Sequence, residues 1–146
     1  MKSVIYLGAA ALFLSACGGA GDDAETGADT QVTAERTDCE VVASDPEAQE
    51  TFDQIGITAD TFCDCMGKVI ASKPEMEQAQ ITMTLSKVAE GMRETGEGAE
   101  DVVGELMMAD EQDTAGEDFA KGVNLVGQTI DEISGSYEDD QTCPVS

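Results

Sequence analysis

The side chains of this 146-residue chain with the most specific chemistry are five cysteines, Cys17, Cys39, Cys63, Cys65 and Cys143. A cysteine can act as a nucleophile, a soft-metal ligand or a redox partner as its thiolate, or as a covalent staple once oxidised. The chain has no histidine, which removes Ser-His-Asp, Cys-His and HExxH chemistry and every zinc site that uses imidazole. Carboxylates are abundant, with 31 Asp and Glu against seven Lys and Arg. Paired carboxylates can run glycoside or phosphate chemistry or hold two metals in a bundle. Yet no E-x-x-H motif accompanies them, and groups such as Glu90, Glu94 and Glu97, or Glu111, Asp118 and Asp131, stand out only because acids are so numerous. The expectation is a chain with no catalytic residue, no metal site and no cofactor.

Cys17 differs from the other four by its surroundings. Lys2 is followed by an apolar run from Val4 to Leu14, which ends at Leu14, Ser15, Ala16 and Cys17. Eleven helical residues rise about 16 Å, roughly half of a bilayer core, too short for a comfortable span. A cleaved secretory signal has this form. The arrangement of basic residue, apolar run, small residues and cysteine resembles the signal of a bacterial lipoprotein. That resemblance implies cleavage before Cys17, a thioether-linked diacylglycerol on its sulfur and acylation of the new amino group. The partner would be a lipid bilayer, reached through acylated Cys17, since two or more acyl chains give stable anchoring. Gly18 stands where Asp often retains such proteins in the inner membrane, which tilts the expectation toward the outer membrane.

Residues 17–37 read as a tether. They contain Gly18, Gly19, Gly21 and Gly27, five acids (Asp22, Asp23, Glu25, Asp29 and Glu35), and Val32 as the lone branched apolar group. Such a segment buries too little surface to offset ordering entropy, so disorder is expected, with like charges extending it. The organisation is then a signal at 1–16, a lipidated linker at 17–37 and a folded domain at 38–146. From Asp38 onward 26 acids face five bases. A surface of this charge repels nucleic acid phosphates and suits a basic envelope protein or diffuse cations.

The elements that must position Cys39, Cys63, Cys65 and Cys143 read as helices. Between Pro74 and Pro144 no proline occurs, and apolar spacings of three and four recur. An all-α bundle of about four helices is expected. The first spans about Pro46 to Ser72, with Asp45 as cap and a stripe of Phe52, Ile55, Ala59, Phe62, Met66 and Val69 or Ile70. Gly56, Ile57 and Thr58 admit a break that would divide it in two. Ser72 with Glu75 has the spacing of a capping box for a second helix to about Glu94, presenting Ile81, Leu85, Val88 and Met92 with Met76 and Thr84 beside them. Gly96 and Gly98 end it. A third, from Ala99 to Ala109, would bury Val102 or Val103 with Leu106 and Met107. Thr114 and Glu117 form a second capping box before a last helix with Phe119, Val123, Val126, Ile130, Ile133 and Tyr137 on one seam. The mature chain keeps six methionines, suggesting a core rich in Met that needs covalent help to hold one arrangement.

Four cysteines in an exported domain read as disulfides. Cys63 and Cys65 lie about 200° apart around a helix, so they cannot close on each other without breaking it. Each must reach Cys39 or Cys143, and Cys39 with Cys63 or with Cys65 remains open at this level. A soft-metal or redox role for Cys63, Asp64, Cys65 and Met66 is the alternative. The function expected is a non-catalytic, lipid-anchored envelope protein with a structural or interaction role. The competing class is a carrier of a small apolar ligand or cation, with a Met-lined core opening between helices.

Overall fold

The computed structural model describes residues 26–110 and 116–145, and all of the regular structure among them is helical: α1 Thr26–Ala43, α2 Pro46–Ile55, α3 Ala59–Ser72, α4 Glu75–Thr95, α5 Ala99–Asp110 and α6 Gly116–Asp140. The all-α, disulfide-stapled architecture expected from the sequence is the one observed. The lipoprotein signal, Cys17 and the Thr114 end of the second capping box lie outside the described residues.

The division of the first segment occurs at Gly56. This residue adopts a left-handed φ of 74° and its N–H donates to the Phe52 carbonyl, closing α2. The chain then turns Ile57 into the core, and Thr58 caps α3 by accepting from the Thr61 N–H at 3.2 Å. Thus one amphipathic stripe, Phe52, Ile55, Phe62, Met66, Val69 and Ile70, is shared by two helices and wholly buried. The Phe52 and Phe62 rings sit 4.7 Å apart across the break.

Three expectations need correction. The predicted tether ends too late: α1 begins at Thr26, inside the 17–37 segment, and buries Cys39 and Ala43. Composition alone misses it because α1 is only weakly amphipathic and gains its hold from groups distant in the chain, Cys63 through a disulfide and Asp60 and Asp64 through Arg36. The Ser72 capping box does not form. Pro74 occupies the N-cap of α4, Lys73 is extended, and Ser72 ends α3 with its hydroxyl donating to the Val69 carbonyl. Finally, the core is not lined by methionine. Met66 is fully buried, whereas Met76 is 73% exposed and Met83, Met107 and Met108 also reach the surface. Isoleucine, valine, leucine and phenylalanine fill those places instead, which is why the helices close tightly.

Packing has two centres. The larger joins α1, α2, α3, α4 and α6 through Cys39, Phe52, Phe62, Met66, Ile81, Leu85 and Ile133. The smaller holds Val88, Val102 and Phe119 where α4, α5 and α6 meet. Helix α4 contacts α1, α3, α5 and α6 and so lies in the middle. Among the described residues no helix is long and apolar enough to cross a membrane.

Candidate functional site: a groove beside a disulfide

Helix α3 carries the two adjacent bridges. Cys39 of α1 pairs with Cys63, and Cys143, just past α6, pairs with Cys65, with Cα separations of 5.7 and 5.6 Å. The two-residue offset sends the bridges to opposite sides of α3, as the helical geometry requires. Which outer cysteine meets which inner one is decided by α1 and α6 lying on different flanks of α3. With both pairs oxidised, none of the four sulfurs is a thiolate for metal or exchange chemistry. Asp64 between them serves a different purpose.

That purpose is to hold α1. Arg36 donates from Nε to Glu40 at 2.8 Å, from Nη2 to Asp60 at 2.9 Å and from Nη1 to Asp64. These bonds, Asp64 first, raise the guanidinium's pKa above its ordinary value. The group is exposed, so its main contribution is geometric: it fixes the rotation of α1 against α3.

This fixed rotation leaves a groove of about 480 Å³ between α1, α3 and the start of α4, lined by Glu35, Cys39, Cys63, Met66, Gly67 and Ile70. Arg36, Asp64 and Lys68 also border it. Glu35 lies one helical turn before Cys39. Its Oε1 is buried without a hydrogen-bond partner, and burial raises the carboxyl pKa above the usual range. A buried acceptor left open in this way is uncommon in a folded protein. Sequence reasoning counted Glu35 as one more acid of the tether; the available signal was its i, i+4 relation to a cysteine.

A larger cleft, about 630 Å³, lies where α2 and α5 begin, and its lining includes Asp45, Glu47, Met92, Arg93, Glu100 and Asp101. Here the buried carboxylate is fully used. Asp45 accepts from the N–H groups of Glu47 at 2.8 Å, Ala48 at 3.4 Å and Ala99 at 2.8 Å, capping two helices at once. We therefore read this cleft as the junction between capped helices, and the smaller groove as the candidate site. Among the described residues no group of three Cys, Asp or Glu is arranged to hold a metal.

The chain matches no family model, no curated protein and no solved structure.

Proposed function

We propose that the protein is a non-catalytic, lipid-anchored envelope component whose acidic helical domain docks a basic protein. The observation that carries this reading is the fate of its cations. Arg36 is spent on Glu40, Asp60 and Asp64, Lys73 on Glu132 at 3.3 Å, and Arg93 on Asp38 at 2.9 Å. Lys87 sits 5.3 Å over the Phe119 ring. From Arg36 onward only six basic residues face 26 acids, so the surface presents mostly unneutralised carboxylates. Such a field steers a basic partner into contact and weakens with salt. Methionines placed outside rather than in the core, Met76 and Met108 most of all, add adaptable apolar contact area to that surface.

Lipidation at Cys17 would hold the domain beside the membrane, with the outer membrane favoured by Gly18. Replacing Cys17 by Ser should abolish incorporation of radiolabelled lipid and release the chain from the membrane fraction; a variant that stays lipidated refutes the anchor. Crosslinking in the native envelope should capture a basic protein, and the yield should fall as salt rises. Capture of no protein, or capture indifferent to ionic strength, refutes the docking reading.

A further inference from the structure

We propose that the outer seam between α4 and α6 is the face the domain turns toward an anionic lipid surface, with Met76 and Met83 resting among the headgroups and Lys87 and Lys121 pairing with their phosphates. This orientation rests on the lipid anchor at Cys17 and leaves the acidic sides of the domain free for a basic protein.

The seam is built from two lines of side chains. On α4, Met76, Gln80, Met83 and Lys87 follow at steps of four, three and four, so they share one side of the helix. On α6, Lys121, Leu125, Gln128 and Glu132 have the same spacing. The two lines run side by side. Lys73, in the turn before α4, bonds Glu132 at 3.3 Å, and Lys87 lies 5.3 Å from the centre of the Phe119 ring. Between these points the helices approach so closely that a Cβ on Gly122 would collide with Thr84 Oγ1.

The charge of this face is the reverse of its surroundings. Three lysines, Lys73, Lys87 and Lys121, meet one carboxylate, Glu132, which Lys73 already pairs. The other acids from Asp38 onward share only Lys68 and Arg93. They return at the edges of the seam, at Glu75 beside Met76, Glu90 one turn past Lys87 and Asp118 one turn before Lys121.

Three arguments select a lipid surface as the occupant. Met76 is 73% exposed and Met83 39%, and flexible apolar side chains set among lysines suit the boundary between headgroups and acyl chains. Near an anionic surface the acidic sides are repelled and the lysines attracted, so both forces turn the seam inward within a Debye length. A second copy fits less well, because a two-fold contact through this face sets lysines against lysines and joins two chains of formal charge −24. The exit of the chain agrees. Asp45 bonds the Ala99 N–H at one end of the bundle, and Glu35 and Gln78 line one groove nearer the other, so α1 and α4 run in the same direction. Thr26 therefore lies beyond the Lys73 end of α4, and nine backbone steps from Cys17 reach at most about 30 Å.

Met108 supplies an internal control. It is 66% exposed, close to Met76, but lies on α5 in line with Asp101 and Glu105. The test reconstitutes the full lipidated chain into phosphatidylcholine vesicles with and without phosphatidylglycerol, each containing a trace of lipid with a diazirine in its headgroup. After illumination, mass spectrometry of peptides compares adducts on the seam, at Met76, Met83 and Leu125, with those on α5 at Met107 and Met108. With phosphatidylglycerol the seam should be labelled at least fivefold more than α5. The contrast should fall toward one without phosphatidylglycerol, in high salt, and in a Lys87→Glu, Lys121→Glu double variant. Both lysines are exposed, so that variant should keep its circular dichroism spectrum. Even labelling of seam and α5 in the anionic vesicles, or full contrast in the folded double variant, would overturn the assignment. So would a contrast that follows the protein-to-lipid ratio rather than the phosphatidylglycerol content, which would give the seam to a second copy. A chain without acyl groups on Cys17 refutes the anchor and this orientation with it, whereas a lipidated chain labelled evenly refutes the orientation alone.

Discussion

Asp45 ties α2 to α5 through one side chain, and Asp45→Asn should separate its two tasks. In the native protein Oδ1 accepts from the Glu47 and Ala48 N–H groups, while Oδ2 accepts from the Ala99 N–H. The residue is 6% exposed, so water cannot readily replace either set. An asparagine keeps one oxygen for α2 but turns an amide NH₂ toward Ala99, placing donor against donor. Loss of the Ala99 bond alone should cost about 1.5–2 kcal/mol, the lower part of the range for a hydrogen bond to a charged group. Asp45→Ala also removes the α2 cap, worth about 1 kcal/mol more, for a total of about 3 kcal/mol. Urea unfolding followed by far-UV circular dichroism should show two stepped losses in midpoint at unchanged slope. Native-state hydrogen exchange should locate them: the Ala99 amide loses protection in both variants, the Glu47 amide only in Asp45→Ala. An Asp45→Asn protein within about 0.5 kcal/mol of the wild type, a difference too small for a lost buried cap, would refute the double-cap reasoning. So would equal deprotection of both amides in that variant.

Replacing Cys65 and Cys143 by Ala opens a 78-residue closure and should destabilise the domain by about 4.5 kcal/mol, against about 3.5 kcal/mol for the 24-residue closure of Cys39 and Cys63, measured by denaturant titration. Gly91→Ala should cost about 1–2 kcal/mol, because its Cβ would stand 2.5 Å from the buried Val102 Cγ1 where α4 crosses α5. Gly104→Ala faces open space and should instead stabilise by about 0.5–1 kcal/mol; thermal melts of the pair check the contrast. Glu35 has a folded-state pKa above its unfolded value, so its contribution to stability is present below the unfolded pKa and is lost as pH rises through the folded one. Glu35→Gln should therefore be more stable than the wild type at neutral pH, with the gap closing in acid; urea midpoints across that range test the sign.

Local chemistry made much of this molecule legible from its residues. The alternating threes and fours from Phe52 to Ile70 define a buried stripe whichever way the helix breaks, because side chains at those steps share a face. Asp45 before Pro46 is a start signal that works through the nearest N–H groups, and Gly96 ends α4 with a left-handed turn, its N–H on the Met92 carbonyl. Excluding a Cys63 to Cys65 bridge needed only the angle between neighbouring helical positions. Periodicity placed Phe119 and Ile133 in the core by the same reasoning.

What only the tertiary structure decided are the properties that depend on groups far apart in the chain. Cys39 could reach either side of α3 until α1 and α6 took opposite flanks. Helix α1 has weak periodicity of its own and is held by Asp60 and Asp64, 24 and 28 residues beyond Arg36, so a window read along the chain sees a polar tether. Asp45 reads as one cap, whereas the fold brings the Ala99 N–H to its second oxygen across 54 residues. Methionine fits core and surface alike, and only the packing shows that Met66 lies inside while Met76 and Met108 do not. Glu35 is the sharpest instance: in sequence it is one acid among many, and only the packing of other helices around α1 withdraws its oxygen from water and leaves it unpaired. Short-range bonding is encoded within a few residues, but desolvation is a property of every chain segment that closes around a group.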